Sequence, residues 1–140
     1  MKQKLLIVDD EEEIRSQMRW ALTSSYDIVL AEDRASALTA FRTHRPMVVL
    51  LDLGLPPHPA DTTEGLATCT ELLTEDPRVK VIIVSGQSER SNALRAVGQG
   101  AYDFFAKPVE MEDLKVLLKR AFYVAELERE LAQIQRQNQS

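Results

Sequence analysis

Val48-Val49-Leu50-Leu51-Asp52-Leu53-Gly54 decides the fold. Four aliphatic residues run unbroken and stop on an acid. A run this short, branched and continuous reads as a strand covered on both faces, the pattern of a parallel sheet. Three more stretches repeat it: Leu5-Leu6-Ile7-Val8, Val81-Ile82-Ile83-Val84 and a weaker Tyr102-Asp103-Phe104-Phe105. Asp27-Ile28-Val29-Leu30-Ala31 fits between the first two. Helical stripes fill the gaps. They are Ile14, Met18, Ala21 and Leu22; then Ala37, Leu38 and Phe41, with Asp33 as N-cap; then Leu66, Cys69, Leu72 and Leu73. A fourth stripe is Ala93, Leu94 and Val97, with Ser88 as cap and Gly98 or Gly100 as stop. A fifth helix begins near Glu110 and runs far toward the C-terminus. Strand and helix alternate five times. That order predicts an α/β fold: a doubly wound, five-stranded parallel sheet with an extended C-terminal helix.

In such sheets, sites form at the C-terminal ends of the strands. The first strand runs into Asp9-Asp10, the third into Asp52, the fourth into Ser85-Gly86 and the fifth into Lys107-Pro108. Each has a plainer meaning alone. Acids at a helix N-terminus are favoured by its dipole, Asp52 could be a loop acid, Ser85 a turn residue and Lys107 a surface lysine. Their shared edge changes the weighting. Two carboxylates about 4 Å apart repel by roughly 4 kcal/mol at an effective dielectric near 20. Three ionised together call for a cation. Oxygen ligands without histidine or thiol favour magnesium. An aspartate beside magnesium is a competent nucleophile toward a phosphoryl donor. The metal and Lys107 would neutralise the phosphoryl oxygens, and the Ser85 hydroxyl would hydrogen-bond one of them.

The 140 residues fit one domain. A chain of this size buries about two-thirds of its unfolded surface and needs no staple. The single cysteine, Cys69, forms no internal disulfide. The N-terminal apolar stretch is too short for a signal peptide, and no later run spans a membrane, so a cytoplasmic location is expected. Net charge is −5, with no basic cluster, so this segment is not expected to bind nucleic acid.

The segments Leu5-Leu6-Ile7-Val8-Asp9-Asp10, Leu51-Asp52-Leu53-Gly54-Leu55-Pro56, Val84-Ser85-Gly86 and Gly100-Ala101-Tyr102-Asp103-Phe104-Phe105-Ala106-Lys107-Pro108 resemble the receiver domain of bacterial two-component response regulators. The resemblance covers about residues 3 to 122 and implies a flavodoxin-like fold. It implies that Asp52 is the phosphoacceptor, fed by a sensor histidine kinase. Asp9, Asp10, Asp52 and the Gly54 carbonyl would hold Mg2+, and Ser85 and Lys107 would bind the phosphoryl group. Phe104 matches the aromatic switch position that moves with Ser85. The Lys107–Pro108 bond is expected to be cis. The function implied is a phosphorylation-activated switch controlling a transcriptional regulator, not a turnover enzyme.

One departure stands out. The family places a glycine eight positions after the acceptor, whereas here Gly65 lies thirteen positions on. Five extra residues fall within Pro56-Pro57-His58-Pro59-Ala60-Asp61-Thr62-Thr63-Glu64. This loop resembles that of the PEP-CTERM-box response regulators, which are NtrC-type activators with ATPase and DNA-binding domains after the receiver. Being Pro-rich, it is stiff; it either walls the acceptor site or contacts a partner, or serves only as a spacer. His58 is expected to be exposed. Gly54 and Gly86 flank the acceptor without side chains, which predicts a phospho-form open to water and short-lived.

Residues 1–122 are read as the receiver and 123–140 as a helical coiled-coil linker toward an absent output domain. Leu117, Val124, Leu127, Leu131, Ile134 and Asn138 fit a and d positions, with Arg120 as the break. Glu126, Glu128, Arg129 and Glu130 read as solvated positions. The expected assembly is a homodimer through the fourth helix, fifth strand and fifth helix, with the tails side by side. Three rivals stand beside this reading. An aspartate-nucleophile phosphatase would want an acid two residues after Asp52, where Gly54 stands. A phosphorylation-independent interaction module is at odds with five intact site residues, and a free-standing receiver with the long tail.

Overall fold

All five apolar runs pair in parallel, in the order β2-β1-β3-β4-β5. The computed structural model describes residues 2–57 and 61–138; His58, Pro59 and Ala60 of the proline-rich loop lie outside them. The elements are β1 (Gln3–Val8), α1 (Glu12–Leu22), β2 (Tyr26–Ala31), α2 (Arg34–His44), β3 (Val48–Asp52), α3 (Thr63–Glu75), β4 (Lys80–Ser85), α4 (Arg90–Gly98), β5 (Asp103–Ala106) and α5 (Met111–Asn138). Among the described residues no helix is long and apolar enough to cross a membrane.

Strand alternation divides the apolar runs between two cores. Leu6, Val8, Val49, Leu51, Val81 and Ile83 face α2, α3 and α4. Leu5, Ile7, Val48, Leu50, Ile82 and Val84 face α1 and α5, where Tyr26 stacks on Phe122. The sheet is apolar on both sides, which is why its runs show no polar alternation.

Local chemistry sets the helix ends. The Asp33 carboxylate accepts from the Ser36 N–H at 2.8 Å while Ser36 Oγ accepts from the Asp33 N–H at 3.1 Å, a reciprocal cap. Gly65, in the first turn of α3, sits against the backbone of Leu53, and a Cβ there would fall on the Leu53 carbonyl and Cα.

The fourth helix differs from expectation at its N-terminus and in its apolar stripe, and ends where expected. Ser88 does not cap it: Gln87–Glu89 form a 3₁₀ turn, and α4 starts at Arg90. Leu94 is half exposed, because Ala93, Ala96 and Val97 already fill the inward face and Leu94 points about 100° away. The helix ends at Gly98, and Gly100 takes φ 127°, open to glycine.

The last helix carries apolar residues on two faces. Leu114, Leu118, Ala121, Phe122 and Ala125 are buried. On the opposite side Val116, Tyr123, Leu127, Leu131 and Ile134 are exposed and fall within an arc of about 80°. Leu117 is partly buried against its own domain's core, so it is not free for a seam. Contacts with the body continue past residue 122: Lys80 pairs with Glu128 at 2.8 Å and Gln3 donates to Glu126 at 3.4 Å. Glu128 is thus an anchor to β4 rather than a solvated position.

Candidate functional site

Strand register builds the site. Val8 lies opposite Leu51, so the next residues, Asp9 and Asp52, emerge side by side from β1 and β3. Asp52 lies opposite Val84 and Ser85 opposite Ala106, so Ser85 and then Lys107 close the row. The Lys107 N–H bonds the Ser85 carbonyl at 2.9 Å, extending the ladder. The reversal of strand order between β1 and β3 opens the crevice at this edge.

Asp9, Asp52 and Ser85 are buried, Asp10 half-buried and Lys107 exposed. Asp9, Asp10 and Asp52 each offer an oxygen within 4.8 Å of the others. The Lys107 ammonium lies 3.2 Å from Asp52 Oδ1, which also accepts from the Gly54 N–H at 3.3 Å. Asp9 Oδ1 accepts from the Glu11 N–H at 2.9 Å, and the Arg15 guanidinium holds the Asp9 carbonyl at 2.7 Å. The Lys107–Pro108 bond is cis, as expected.

Burial pushes the Asp9 carboxyl up to about 6; the Asp52 and Asp10 charges add to this, and the Glu11 N–H and Lys107 oppose it. Burial also raises Asp52, against the pull of Lys107 and the Gly54 N–H. Lys107 is pulled down by burial, but Asp52, Asp9 and Glu89 outweigh this and hold it above its ordinary value. The cluster is short of positive charge. Three oxygen donors with no histidine or thiol suit a hard divalent cation; the donor set fits magnesium.

Two clefts flank the acids. One, of about 360 Å³, runs from Asp9 and Lys107 along Ile14, Met18, Val109 and Met111. The other, of about 310 Å³, is bounded by Ser85, Gly86, Arg90, Phe104 and Lys107. Phe104 is half-buried against the core on the α4 side, one strand from Ser85. A groove of about 450 Å³ between α3 and α4 borders Cys69, whose thiol burial raises to about 11, which leaves it inert as a nucleophile.

Every residue predicted for the site from strand ends stands at this edge. One was missed. Glu89 accepts from the Gly86 N–H at 2.9 Å, directly beside Ser85. Its signal was present: a glutamate three residues after a turn glycine is the position that reaches back to an N-terminal N–H.

The family described as Response regulator receiver domain matches residues 5–119. Nitrogen assimilation regulatory protein NtrX of Azorhizobium caulinodans is 32% identical over 140 residues, covering 99% of this chain and 30% of that protein. The chain thus spans about a third of the length of that relative. The crystal structure of NtrX from Brucella abortus with ADP superposes with a TM-score of 0.84 at 33% identity, covering 94% of this chain and 30% of that one. The receiver domain of the same Brucella abortus protein gives 0.76 at 34% identity, covering 84% and 96%.

Proposed function

We propose that this chain, which belongs to the response regulator receiver domain family, takes a phosphoryl group onto Asp52 from a sensor histidine kinase and relays the change to an output. The observation that carries the reading is the row Asp9, Asp52, Ser85 and Lys107 on adjacent strand ends, with the Lys107 ammonium 3.2 Å from Asp52 Oδ1.

An Asp52 carboxylate oxygen attacks the phosphorus of a phosphohistidine in line with the leaving nitrogen. The P–N bond breaks, its electron pair stays on the imidazole, and a new P–O bond leaves an acyl phosphate on Asp52. Lys107 would pair with a phosphoryl oxygen, and Ser85 would donate its hydroxyl to another. Asp9, Asp10, Asp52 and the Gly54 carbonyl would hold Mg2+, which when bound offsets the charge gathering on the transferred oxygens. The cleft along Ile14, Met18, Val109 and Met111 offers apolar walls to a donor helix. Each event modifies the acceptor itself, so the chain is a switch rather than a turnover enzyme.

Ser85 and Phe104 stand on neighbouring strands, so a shift of Ser85 toward the phosphoryl group would make room for the ring. The readout is a homodimer through α4, β5 and α5, continued by the exposed stripe of α5 beyond residue 122. Residues 123–140 then act as linker to an output domain. In the parent protein that output is read as transcriptional and NtrC-type, in the cytoplasm. The narrower PEP-CTERM-box likeness rests on the 56–64 loop.

Intact mass after incubation with Mg2+ and acetyl phosphate tests the reading. Wild type should gain one phosphoryl group and Asp52→Asn none. Equal addition to both would remove Asp52 from the role.

A further inference from the structure

We propose that Glu89 is a resident anion that holds the turn after β4 closed over the acceptor site and restrains Asp52 phosphorylation until the phosphoryl group displaces it. This rests on the reading of Asp52 as acceptor. Glu89 is a positioning residue here, acting through Gly86 and Lys107.

The geometry is one of competition. Gly86, next along the chain from Ser85, borders the same cleft as Ser85 and Lys107, and its N–H is a donor beside the acceptor row. It is occupied by Glu89 Oε1 at 2.9 Å. The Glu89 charge also acts on Lys107, alongside those of Asp52 and Asp9. A phosphoryl group on Asp52 would draw on this same positive side of the pocket. It carries about −1.5 to −2 charge near neutral pH. Two anions would then face one ammonium and one N–H in a half-buried cleft, and Glu89 is the one not covalently fixed there.

Displacement has a mechanical consequence. Gln87–Glu89 form a single 3₁₀ turn, closed by the Glu89 N–H on the Gly86 carbonyl at 3.1 Å, and the next residue, Arg90, begins α4. Below that turn α4 is held by Ala93 and Ala96 in the core and by Asn92, which donates to the Thr62 hydroxyl at 3.0 Å. Freeing Glu89 loosens the top of α4 while its lower contacts stay in place, so the change is directed to the face between α4 and β5.

A simple turn cap would need only an acceptor atom, whereas a resident anion needs the charge. Glu89→Gln separates the two, since the amide oxygen still accepts from Gly86. The experiment compares the phosphorylation rate of wild type, Glu89→Gln and Glu89→Lys by intact mass, with Mg2+ and acetyl phosphate at low and high salt, beside their melting temperatures. The expected result is a roughly two- to fivefold faster Glu89→Gln at low salt, the scale of a half-exposed charge interaction. Glu89→Lys should be faster still, and the differences should shrink at high salt, where such charges are screened. Rates equal to wild type at both salts, or slower, overturn the proposal and leave Glu89 a turn cap. Wild type that takes no phosphoryl group removes the reading beneath it, and the proposal falls with it; labelled wild type with an indifferent Glu89→Gln sinks the proposal alone.

Discussion

Asp9 bears the strain of burying a carboxyl at this edge, to which its like-charged neighbours add. Its carboxyl sits at about 6 in the folded chain against an ordinary 3.8, with burial as the first cause. Between those values the folded state holds a proton that the unfolded chain has lost. Stability therefore falls as pH rises through that window, by about 3 kcal/mol from this group. Without metal, the melting temperature should drop between pH 4 and pH 6.5. Added Mg2+ should raise it at pH 7.5 and do little at pH 4. Asp9→Asn should be the more stable chain at neutral pH without metal and should lose the Mg2+ response. A metal-free melting temperature that climbs over that range would contradict the assignment of strain to Asp9. At this scale the sequence was informative wherever a residue directly follows a strand: Asp9, Asp52, Ser85 and Lys107 inherit their positions from β-pairing, which apolar runs reveal. Glu89 inherits its position from a turn of three residues, and no apolar run points to it.

The strands, which lie between the two helix layers, were legible for the same reason: burial on both faces leaves a continuous apolar signature. The strand boundaries slipped by a residue or two, as at β5, where Tyr102 bonds the Val81 carbonyl just before the strand begins. The fourth helix was harder to read. Its inward face is alanine, and small residues give a faint stripe that the neighbouring Leu94 outshines. Gly65 shows how an element is placed by contact rather than propensity. In an open helix, Gly→Ala gains up to about 1 kcal/mol. Here the added methyl meets the Leu53 backbone, which cannot turn aside. Gly65→Ala should therefore destabilise the fold by about 1–3 kcal/mol, the cost of an overpacked site. Chemical denaturation measures this, and a neutral or stabilised variant would mean that α3 does not approach Leu53 so closely.

For the whole molecule, α5 is the element whose sequence exceeds the needs of its own core. Its 28 residues span about 42 Å. One face is spent on the sheet, and the opposite face carries exposed apolar residues from Val116 to Ile134, interrupted by Arg120. The heptad pattern coincides with this stripe at Leu127, Leu131 and Ile134 but departs from it at Leu117 and Val124, which are partly buried, since periodicity alone does not say which side the sheet already occupies. A second copy of the chain covers such a face in the proposed assembly. Wild type should dimerise with rising concentration in sedimentation. Replacing Leu127, Leu131 and Ile134 together by serine should yield a monomer that still takes a phosphoryl group on Asp52. A wild type monomeric throughout would place the stripe against some other partner.

In the proposed reaction the acyl phosphate forms on Asp52, the acid at the end of β3. Borohydride reduction of the phosphorylated chain converts an acyl phosphate to an alcohol, which peptide mass mapping locates. Homoserine is expected at position 52 and unmodified aspartate at positions 9 and 10. Reduction at Asp9 or Asp10 with Asp52 intact, or phosphoryl groups that resist borohydride, would contradict it.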